Sequence, residues 1–335
     1  INATPKHQSF FSHLFFTSHT PHPPLIDCQI IFKSITRPRG YLQIEKDVIA
    51  TEDTFYISDT QQHLAEISWQ KLEGNQLVFI VDPDFDLYYF YTFILEPLLI
   101  IKASHLDILF VHASAVSQAG KTWLFPAWRN TGKTHSMLTL TQQGYAFTGD
   151  DYCVVRGKTV YLYPKKVNLF SYNFSQFPQI FASLDVMTRW RLKIILAGKI
   201  LLRQLSSRLG HPFSKILYRL SELAEVATNV TLSPEAAGIP VASQGQLHQL
   251  VLLQKTTKHR GRTKLTEDEL AEKLWQVIQY ELKDFFETYH KYQYLFPQQR
   301  VAEIESFEQT YRQLVKKLLI KPQLQYFSEK EPLSL

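Results

Sequence analysis

The sequence predicts an α/β fold built around a phosphate-binding loop, with a β region before the loop and a helical part at the C-terminal end. Three observations lead to this prediction. Residues 126–134 join a short apolar run to a helical pattern through Gly-Lys-Thr. Short runs of β-branched and aromatic residues fill residues 25–82, and amphipathic helical patterns follow residue 266.

The loop motif fits the phosphate-loop pattern when it is counted from Ala127. In such loops backbone N–H groups point at phosphate oxygens, the lysine reaches the β- and γ-phosphates, and the hydroxyl ligates Mg²⁺. A buried strand is predicted at 123–125, and a helix from Thr134 to a stop at Gly144, so a phosphate would lie at a helix N-terminus. The alternative is a strand-turn-helix unit that contains Gly-Lys-Thr by chance. The expected nucleotide-binding residues are Ala127, Asn130, Thr131, Gly132, Lys133 and Thr134.

The composition is that of an ordinary globular protein: 335 residues, 45% hydrophobic and 20% charged, with a net charge of +5. Cys28 and Cys153 show neither a disulfide framework nor metal-ligand spacing, which favours a reducing compartment. The most apolar stretch, Leu87–Ile101, is interrupted by Glu96 and Pro97, so no transmembrane helix is predicted, and we see no signal-peptide pattern. We therefore expect a cytoplasmic protein.

Residues 1–86 are predicted to form an N-terminal arm and a small β region. The arm, residues 1–24, contains prolines and histidines and is expected to be loose and solvated. The alternative is a metal site, although no carboxylate or cysteine accompanies the histidines at ligand spacing. These histidines are His7, His13, His19 and His22. The strands predicted after the arm are Leu25–Phe32, Thr54–Ile57, Leu64–Trp69 and Leu77–Val81.

Residues 87–265 are predicted to form the nucleotide-binding core. A helical pattern over Asp84–Ser104 leads into it, and Pro97 is expected to break or re-aim that helix. Strands are expected on both sides of the loop, and Gly157 marks the turn of a hairpin. These strands are Ile108–Val111, Tyr145–Phe147, Tyr152–Arg156, Thr159–Tyr163 and Leu250–Leu253.

Asp150 and Asp151 follow a predicted strand just after the loop's helix. Magnesium at a phosphate loop needs a second anionic ligand, usually a carboxylate at the end of a neighbouring strand. Two adjacent carboxylates can divide the work, one on the metal and the other taking the proton of an acceptor hydroxyl; the alternative is an ordinary turn. His112 ends the strand upstream of the loop, where it is either a site residue or a core histidine.

These elements together resemble the bacterial HPr kinase/phosphorylase family and its relatives. The resemblance rests on the order and spacing of His112–Val116, the 127–134 loop, Gly144-Tyr145 and Asp150-Asp151, and it covers residues 87–165. Proteins of that family have a fold related to phosphoenolpyruvate carboxykinase, and they phosphorylate serine on a carrier protein or other substrates. The resemblance implies binding of ATP and Mg²⁺ by Lys133 and Thr134. It also implies that Asp150 is the catalytic base and Asp151 a metal ligand, with His112 nearby.

A basic insertion is predicted within the core, at about residues 178–228. Val186–Leu220 contains eight Lys or Arg and no Asp or Glu, with apolar residues at helical spacing, and a division near Gly210. The stretch from Arg189 to Arg219 is expected to dock an acidic partner or a membrane surface. The alternative is a packed helical insertion with a solvated basic face. Interleaved aromatic residues are sparse, so no nucleic-acid partner is expected.

The C-terminal part, residues 266–335, is predicted to be a helical hairpin. A capping box at Thr266–Glu269 opens its first helix, and the second is expected at about Val301–Ile320. Before the hairpin, residues 255–264 form a predicted basic loop with Lys258, Arg260 and Arg262. That loop is either a lid that closes on phosphates or a flexible surface loop.

We expect an ATP-dependent kinase that transfers the γ-phosphoryl group to the hydroxyl of a peptide, a protein or a small molecule. The expected catalytic residues are Asp150, His112 and Lys133, and the expected Mg²⁺ ligands are Thr134 and Asp151. The alternative is a nucleotide-binding regulatory or scaffold protein without turnover, which the bulky loop residues Trp128 to Asn130 and His135 favour. A homo-oligomer is compatible with the sequence.

Overall fold

The computed structural model describes residues 2–15, 27–68, 76–208, 211–256, 261–318 and 323–327, and it shows a mixed α/β fold. A π-helical turn, Tyr91–Leu95, joins α2 to α3. The helices are α1 (Pro5–Leu14), α2 (Leu87–Phe90), α3 (Glu96–Ser104), α4 (Lys133–Gln142), α5 (Ser171–Gln176), α6 (Pro178–Ser183), α7 (Val186–Arg208), α8 (His211–Val226), α9 (Glu267–Glu281), α10 (Lys283–Leu295), α11 (Ala302–Glu305) and α12 (Phe307–Lys316). The strands are β1 (Asp27–Phe32), β2 (Leu42–Ile44), β3 (Val48–Ala50), β4 (Thr54–Ser58), β5 (Leu64–Ser68), β6 (Gln76–Val81), β7 (Ile108–Val111), β8 (Ala113–Gln118), β9 (Lys121–Pro126), β10 (Ala146–Gly149), β11 (Cys153–Arg156), β12 (Thr159–Tyr161), β13 (Val167–Leu169), β14 (Val230–Leu232), β15 (Gln244–Lys255), β16 (Gly261–Lys264) and β17 (Gln323–Phe327).

The predicted N-terminal β region is a six-stranded sheet with the order β1-β6-β5-β4-β3-β2. β1 and β6 are parallel, and the other neighbours are antiparallel. The four predicted strands correspond to β1, β4, β5 and β6, while the sequence analysis missed β2 and β3, which have only three residues each. Residues 25, 26 and 69, at the ends of two predicted strands, lie outside the described residues.

The N-terminal arm is not loose over its described part, because residues 5–14 form α1. His7 is only 1% exposed and stacks on Phe32 with ring centroids 3.6 Å apart. Its Nδ1 accepts from the backbone N–H of Thr4 at 3.0 Å, and its Nε2 donates to the carbonyl of Pro83 at 2.9 Å. Both ring nitrogens are therefore used within the protein, which argues against His7 as a metal ligand. His19 and His22 lie outside the described residues.

The helix predicted over residues 84–104 is interrupted about one turn before Pro97, where the break was expected. Its π-helical turn ends directly before Glu96 and Pro97, where the missing N–H of proline would interrupt a regular helix. By length and composition, Leu87–Ser104 passes as a candidate membrane span, yet 72% of it is buried inside the protein. Core helices pass the same test, so this is weak evidence for a span.

The central sheet is mixed, with the order β10-β8-β9-β15-β12-β11-β7. β9 lies between its antiparallel hairpin partner β8 and the parallel strand β15, so the residues after β9 emerge at the middle of the sheet. The hairpin predicted around Gly157 is present as β11 and β12, and Gly157 has a φ of 57°. β8 is antiparallel to both β9 and β10, so β9 and β10 run in the same direction. The loop that follows β9 and the two aspartates that follow β10 therefore lie at the same edge of the sheet.

The C-terminal part is more complex than the predicted helical hairpin. Its described residues form the helices α9 to α12 and the strand β17, which pairs with β15 in parallel. β16 pairs with β17, so residues 261–264 of the predicted basic loop form a strand; residues 257–260, with Lys258 and Arg260, lie outside the described residues. The capping box is confirmed: the N–H of Glu269 donates to Thr266 Oγ1 at 3.2 Å, and the N–H of Thr266 donates to Glu269 Oε2 at 2.8 Å.

One hydrophobic core joins the N-terminal sheet, one face of the central sheet and the C-terminal helices. Two buried tyrosines fasten the C-terminal helices: Tyr292 donates to the carbonyl of Glu52 at 2.6 Å, and Tyr311 to that of Phe110 at 3.1 Å. A second core lies on the other face of the central sheet, around α4. The two predicted basic helices are α7, which runs to Arg208, and α8, which runs from His211; the predicted division near Gly210 lies outside the described residues.

We predict that Gly245→Ala destabilises the central sheet by about 2 kcal/mol, because a Cβ there overpacks β15 against its neighbours. It would overlap Thr122 Oγ1 and lie 3.0 Å from Ser117 Oγ, within a buried hydroxyl cluster. Denaturant unfolding measures the loss. The control is Gly198→Ala in α7, where a Cβ meets nothing within 4 Å, and which should stabilise slightly through helix propensity. Equal effects of the two variants would contradict this account of the packing.

Candidate functional site

The 127–134 loop leaves the end of β9 and enters α4 at the centre of the sheet edge. Ala127 forms a parallel bridge with Leu253 of β15, which anchors the start of the loop. Gly132 has a φ of 108°, a left-handed conformation that favours glycine, and Lys133 begins the helix. The loop therefore ends at the N-terminus of α4, and the free backbone N–H groups of a helix N-terminus favour anions.

Lys133 points back across the loop. Its Nζ donates to the carbonyl of Ala127 at 3.1 Å and to His112 Nε2 at 2.5 Å. Burial lowers the pKa of Lys133 below its ordinary value, although the carboxylates of Asp151 and Asp150 act in the opposite direction. The Ser114 hydroxyl donates to the Lys133 carbonyl at 3.0 Å, which ties the start of α4 to β8.

His112 lies between the loop and the acidic side chains, and it is 4% exposed. Burial and the neighbouring Lys133 charge lower the pKa of His112 to about 4, so the ring is neutral at pH 7. Because Nε2 accepts a hydrogen bond from Lys133, the ring proton is on Nδ1. Nδ1 lies 3.6 Å from Asp151 Oδ1 and has no hydrogen-bond partner. A buried donor is thus aimed towards the Asp151 carboxylate.

Asp150 lies beside Thr134. The Thr134 hydroxyl donates to Asp150 Oδ2 at 3.0 Å, and the Asp150 residue is 6% exposed. Burial, together with the nearby Asp151 charge, raises the pKa of Asp150 to about 6. Asp150 is therefore a buried oxygen donor next to the hydroxyl of the loop.

Asp151 faces away from Thr134. Its backbone has a φ of 70°, and its side chain is 42% exposed and accepts from Lys165 Nζ at 2.7 Å. Partial burial favours the protonated carboxyl, but the positive charge of Lys165 outweighs it and holds the pKa of Asp151 below its usual range. The two adjacent aspartates therefore occupy distinct electrostatic environments.

Lys165, Glu96 and Tyr91 belong to the site and were missed by the sequence analysis. Lys165 Nζ lies 3.1 Å from Glu96 Oε1, and the Tyr91 hydroxyl donates to the same oxygen. Burial acts to lower the pKa of Lys165, but the two carboxylates raise it, so it stays charged. Glu96 had a recognisable signal, since it is a lone carboxylate in a buried apolar helix; Lys165 had none.

Arg129 and Glu281 form a second ion pair at the loop. The guanidinium donates to both carboxylate oxygens, at 2.8 and 2.5 Å, and Glu281 Oε1 lies 3.6 Å from His112 Nε2. The adjacent rings of Trp128 and Tyr280 pack with centroids 4.8 Å apart. Glu281 was also missed, because nothing in the sequence distinguishes it from the other carboxylates of α9, although its side chain is only 8% exposed.

A groove of about 740 Å³ begins at the Trp128 and Tyr280 rings and runs along the C-terminal helices. It therefore opens one residue away from the Arg129–Glu281 pair, beside the loop. Its lining mixes aromatic and charged side chains, among them Trp275, Lys283, Phe286, Glu287, His290 and Glu308.

The oxygen donors suit Mg²⁺, which prefers hard oxygen ligands and is usually held by one or two protein groups. The half-buried Thr134 hydroxyl and the buried Asp150 carboxylate are adjacent at the helix N-terminus, so this pair fits the ion. Asp151 does not join them, since its carboxylate is engaged by Lys165. In the part of the chain that the structure describes, the other cluster at metal-ligand distances is His63, Asp82 and Asp84, a generic surface group in the N-terminal region.

The structure brings together most of the site residues that the sequence predicts. Lys133, Thr134, Asp150 and His112 converge, and Asn130 and Thr131 lie within the loop. A scan against models of known protein families and a search of curated proteins both find no match for this chain. The chemistry of the site must therefore be argued from its geometry.

We predict that Asp150→Asn stabilises the protein at neutral pH. A carboxyl whose pKa rises from 3.8 to about 6 on folding binds more protons in the native state between these pH values. Its contribution to the free energy of unfolding therefore falls as the pH rises through that window. The variant should exceed the wild type by on the order of 2 kcal/mol at pH 7, and the difference should vanish by about pH 3.

Unfolding measured from pH 7 down to pH 2 checks the prediction, with Asp151→Asn as the control of opposite sign. Lys165 holds the pKa of Asp151 in the folded protein below its ordinary value of 3.8, so that variant should be less stable than the wild type from pH 7 to about pH 4 and should approach the wild type only at lower pH. A pH-independent difference for Asp150→Asn would contradict the proposed protonation.

Proposed function

We propose that the protein is an ATP-dependent kinase with an HPr-kinase-like core, which transfers the γ-phosphoryl group to an acceptor hydroxyl. One observation carries the proposal. At the N-terminus of α4, the cation of Lys133 and the pair formed by Thr134 and the buried Asp150 lie near a second, partly exposed carboxylate, that of Asp151. Phosphoryl transfer needs these parts: a phosphate cradle, a metal site and a group facing the acceptor.

The loop and Lys133 would hold the triphosphate. Backbone N–H groups at the start of α4 suit phosphate oxygens, and Nζ of Lys133 is already held at the mouth of the loop by His112 and Ala127. A neutral His112 serves this purpose, because it accepts a hydrogen bond from Lys133 without adding a competing positive charge. Lys133 then supplies the charge that attracts the β- and γ-phosphates.

Thr134 and Asp150 would hold Mg²⁺. When bound, the ion neutralises charge on the phosphate oxygens. Asp150 suits this role better than that of the base, because it is buried beside the Thr134 hydroxyl, where an acceptor molecule cannot reach it. This assignment reverses the one implied by the family resemblance, in which Asp150 is the base and Asp151 the metal ligand.

Asp151 would face the acceptor. Its carboxylate is partly exposed, so an acceptor hydroxyl can approach it, and Lys165 keeps it ionised. A carboxylate in this position accepts the hydrogen bond of the hydroxyl and orients it for in-line attack. The position of Asp151 supports this role more directly than its pKa does, because a base must be within hydrogen-bonding distance of the proton that it takes.

The competing function is nucleotide binding without turnover. It is favoured by the bulky loop interior, where Arg129 and Trp128 are held by contacts with Glu281 and Tyr280. A loop fastened in this way could bind a nucleotide as a structural or regulatory ligand. Transfer of label from γ-labelled ATP to any product in a cell extract distinguishes the two functions.

We predict that Lys133→Ala lowers the affinity for Mg-ATP by at least about 10-fold, because it removes a charge-assisted contact to phosphate. Isothermal calorimetry on the purified protein measures the affinity. Lys158→Ala, at the exposed turn between β11 and β12, is the matched control and should bind as the wild type does. Equal affinities in wild type and Lys133→Ala would remove the basis for nucleotide binding at this loop.

We predict separate defects for the two aspartate variants. Asp150→Asn should raise the Mg²⁺ concentration needed for nucleotide binding, because it removes a charged metal ligand. Asp151→Asn should keep the affinities for nucleotide and Mg²⁺ and lose turnover by about 100-fold. Calorimetry with varied Mg²⁺ and labelled-ATP kinetics measure the two effects. The opposite pattern would restore the assignment that the family resemblance implies, and binding without any turnover in the wild type would favour the regulatory function.

A further inference from the structure

Residues 186–226, the basic hairpin, form a distinct surface unit made of α7 and α8. The two helices pack extensively on each other, and within the described residues no other helix or strand contacts them to a comparable extent. At its base, Leu192 is fully buried in the second core, which attaches the hairpin to the sheet. Most of the hairpin therefore projects from the protein.

α7 carries two apolar faces. One faces inward and includes Leu192, Ile195 and Leu202, which are buried or half-buried. The other is exposed and consists of residues spaced three, four or seven apart, which lie on one side of a helix. These residues, with their exposed fractions, are Met187 (78%), Trp190 (62%), Ile194 (68%), Leu201 (56%) and Leu205 (39%).

α8 repeats this arrangement. Its inward face includes Leu217 and the fully buried Ser221, while a second stripe of apolar residues is exposed. This stripe consists of Phe213 (65%), Ile216 (57%), Leu220 (44%) and Leu223 (65%).

The two stripes lie on the same face of the hairpin. Successive residues of a helix are 100° apart, so in each helix the exposed stripe lies about a third of a turn from the side that packs on the other helix. Viewed from its own N-terminus, each helix has its stripe rotated in the same direction. Because the two consecutive helices run antiparallel, equal senses of rotation bring both stripes to one side. The result is a continuous apolar face with no partner among the described residues, which on a protein surface marks an interaction site.

The basic hairpin is also strongly cationic. Eight Lys or Arg and two Glu lie between residues 186 and 226, so this segment carries more positive charge than the net +5 of the whole chain. Lys193, Lys215 and Arg219 are exposed, and Arg203 pairs with Glu222 at 3.1 Å. A partner must therefore combine an apolar region with negative charge.

We propose that the basic hairpin binds the surface of an anionic lipid membrane, with the apolar face in the headgroup–acyl boundary and the Lys and Arg side chains on the headgroups. Exposed Trp and Phe with flanking Lys and Arg are the side chains that interfacial helices use. A second copy of the same face would bring like charges together, and nucleic acid would leave the aliphatic stripe in water. This inference is independent of the proposed kinase activity.

Sedimentation with vesicles tests the proposal. The full-length protein should bind vesicles that contain phosphatidylserine or phosphatidylglycerol, and should remain in solution with phosphatidylcholine vesicles alone. Raising the salt concentration should weaken this binding, because the surface potential is screened. Wild-type protein that does not bind the anionic vesicles, or that binds both kinds equally, would overturn the proposal.

Two variants separate the apolar and the charged contributions. Trp190→Ser combined with Phe213→Ser should weaken binding at least about 10-fold, because it removes inserted apolar area. Lys193→Glu, Lys215→Glu and Arg219→Glu combined should weaken it at least about 100-fold. The matched control reverses Lys46, Lys121 and Lys158, which are exposed lysines elsewhere, and should bind as the wild type does.

Other occupants of the face would give different results. If the partner is an acidic protein, the wild type should not bind vesicles but should bind soluble polyglutamate. If the face mediates self-association, the wild type should be a dimer, and the combined Trp190→Ser and Phe213→Ser changes should dissociate it. Either result, without vesicle binding, would overturn the proposal. Thermal unfolding of each variant confirms that these exposed substitutions leave the fold intact.

Discussion

The arrangement of the site depends on one buried cation, Lys165. Its ammonium group lies between Glu96 of α3 and Asp151 after β10, at 3.1 and 2.7 Å. Two carboxylates this close to each other would repel in a region of low dielectric, and one of them would take up a proton. Lys165 opposes this protonation: it holds the pKa of Asp151 below its usual range, while burial still raises the pKa of Glu96. Lys165 also fixes the direction of Asp151, so that the neighbouring Asp150 is left to face Thr134.

The C-terminal helices take part in the site as well as in the core. Glu281, at the end of α9, holds Arg129 of the loop and lies close to His112. A residue from the last third of the chain thus contacts a loop in its middle third. A change in the packing of α9 would therefore alter the loop directly, and the groove at Tyr280 lies beside this contact.

The site also has an energetic cost. The raised pKa of Asp150 and the lowered pKa of Lys133 both result from burial, and each means that the charged form is disfavoured in the folded protein. Perturbed groups of this kind cluster at functional sites, because burial strengthens their interaction with a charged ligand. The same reasoning predicts that ligand binding stabilises the fold, since an anion or a cation would compensate these charges.

The sequence by itself determined the features that depend on neighbouring residues. Local backbone and periodicity rules predict the loop with its glycine at 132, the capping box at Thr266, most strands and the two basic helices, and the structure contains them. Only the tertiary structure decided that Lys165 and Glu281 belong to the site, and that Asp150 rather than Asp151 faces Thr134. These contacts join residues 14 to 169 positions apart, and which charges meet over such separations depends on strand order and helix packing, which local patterns do not encode.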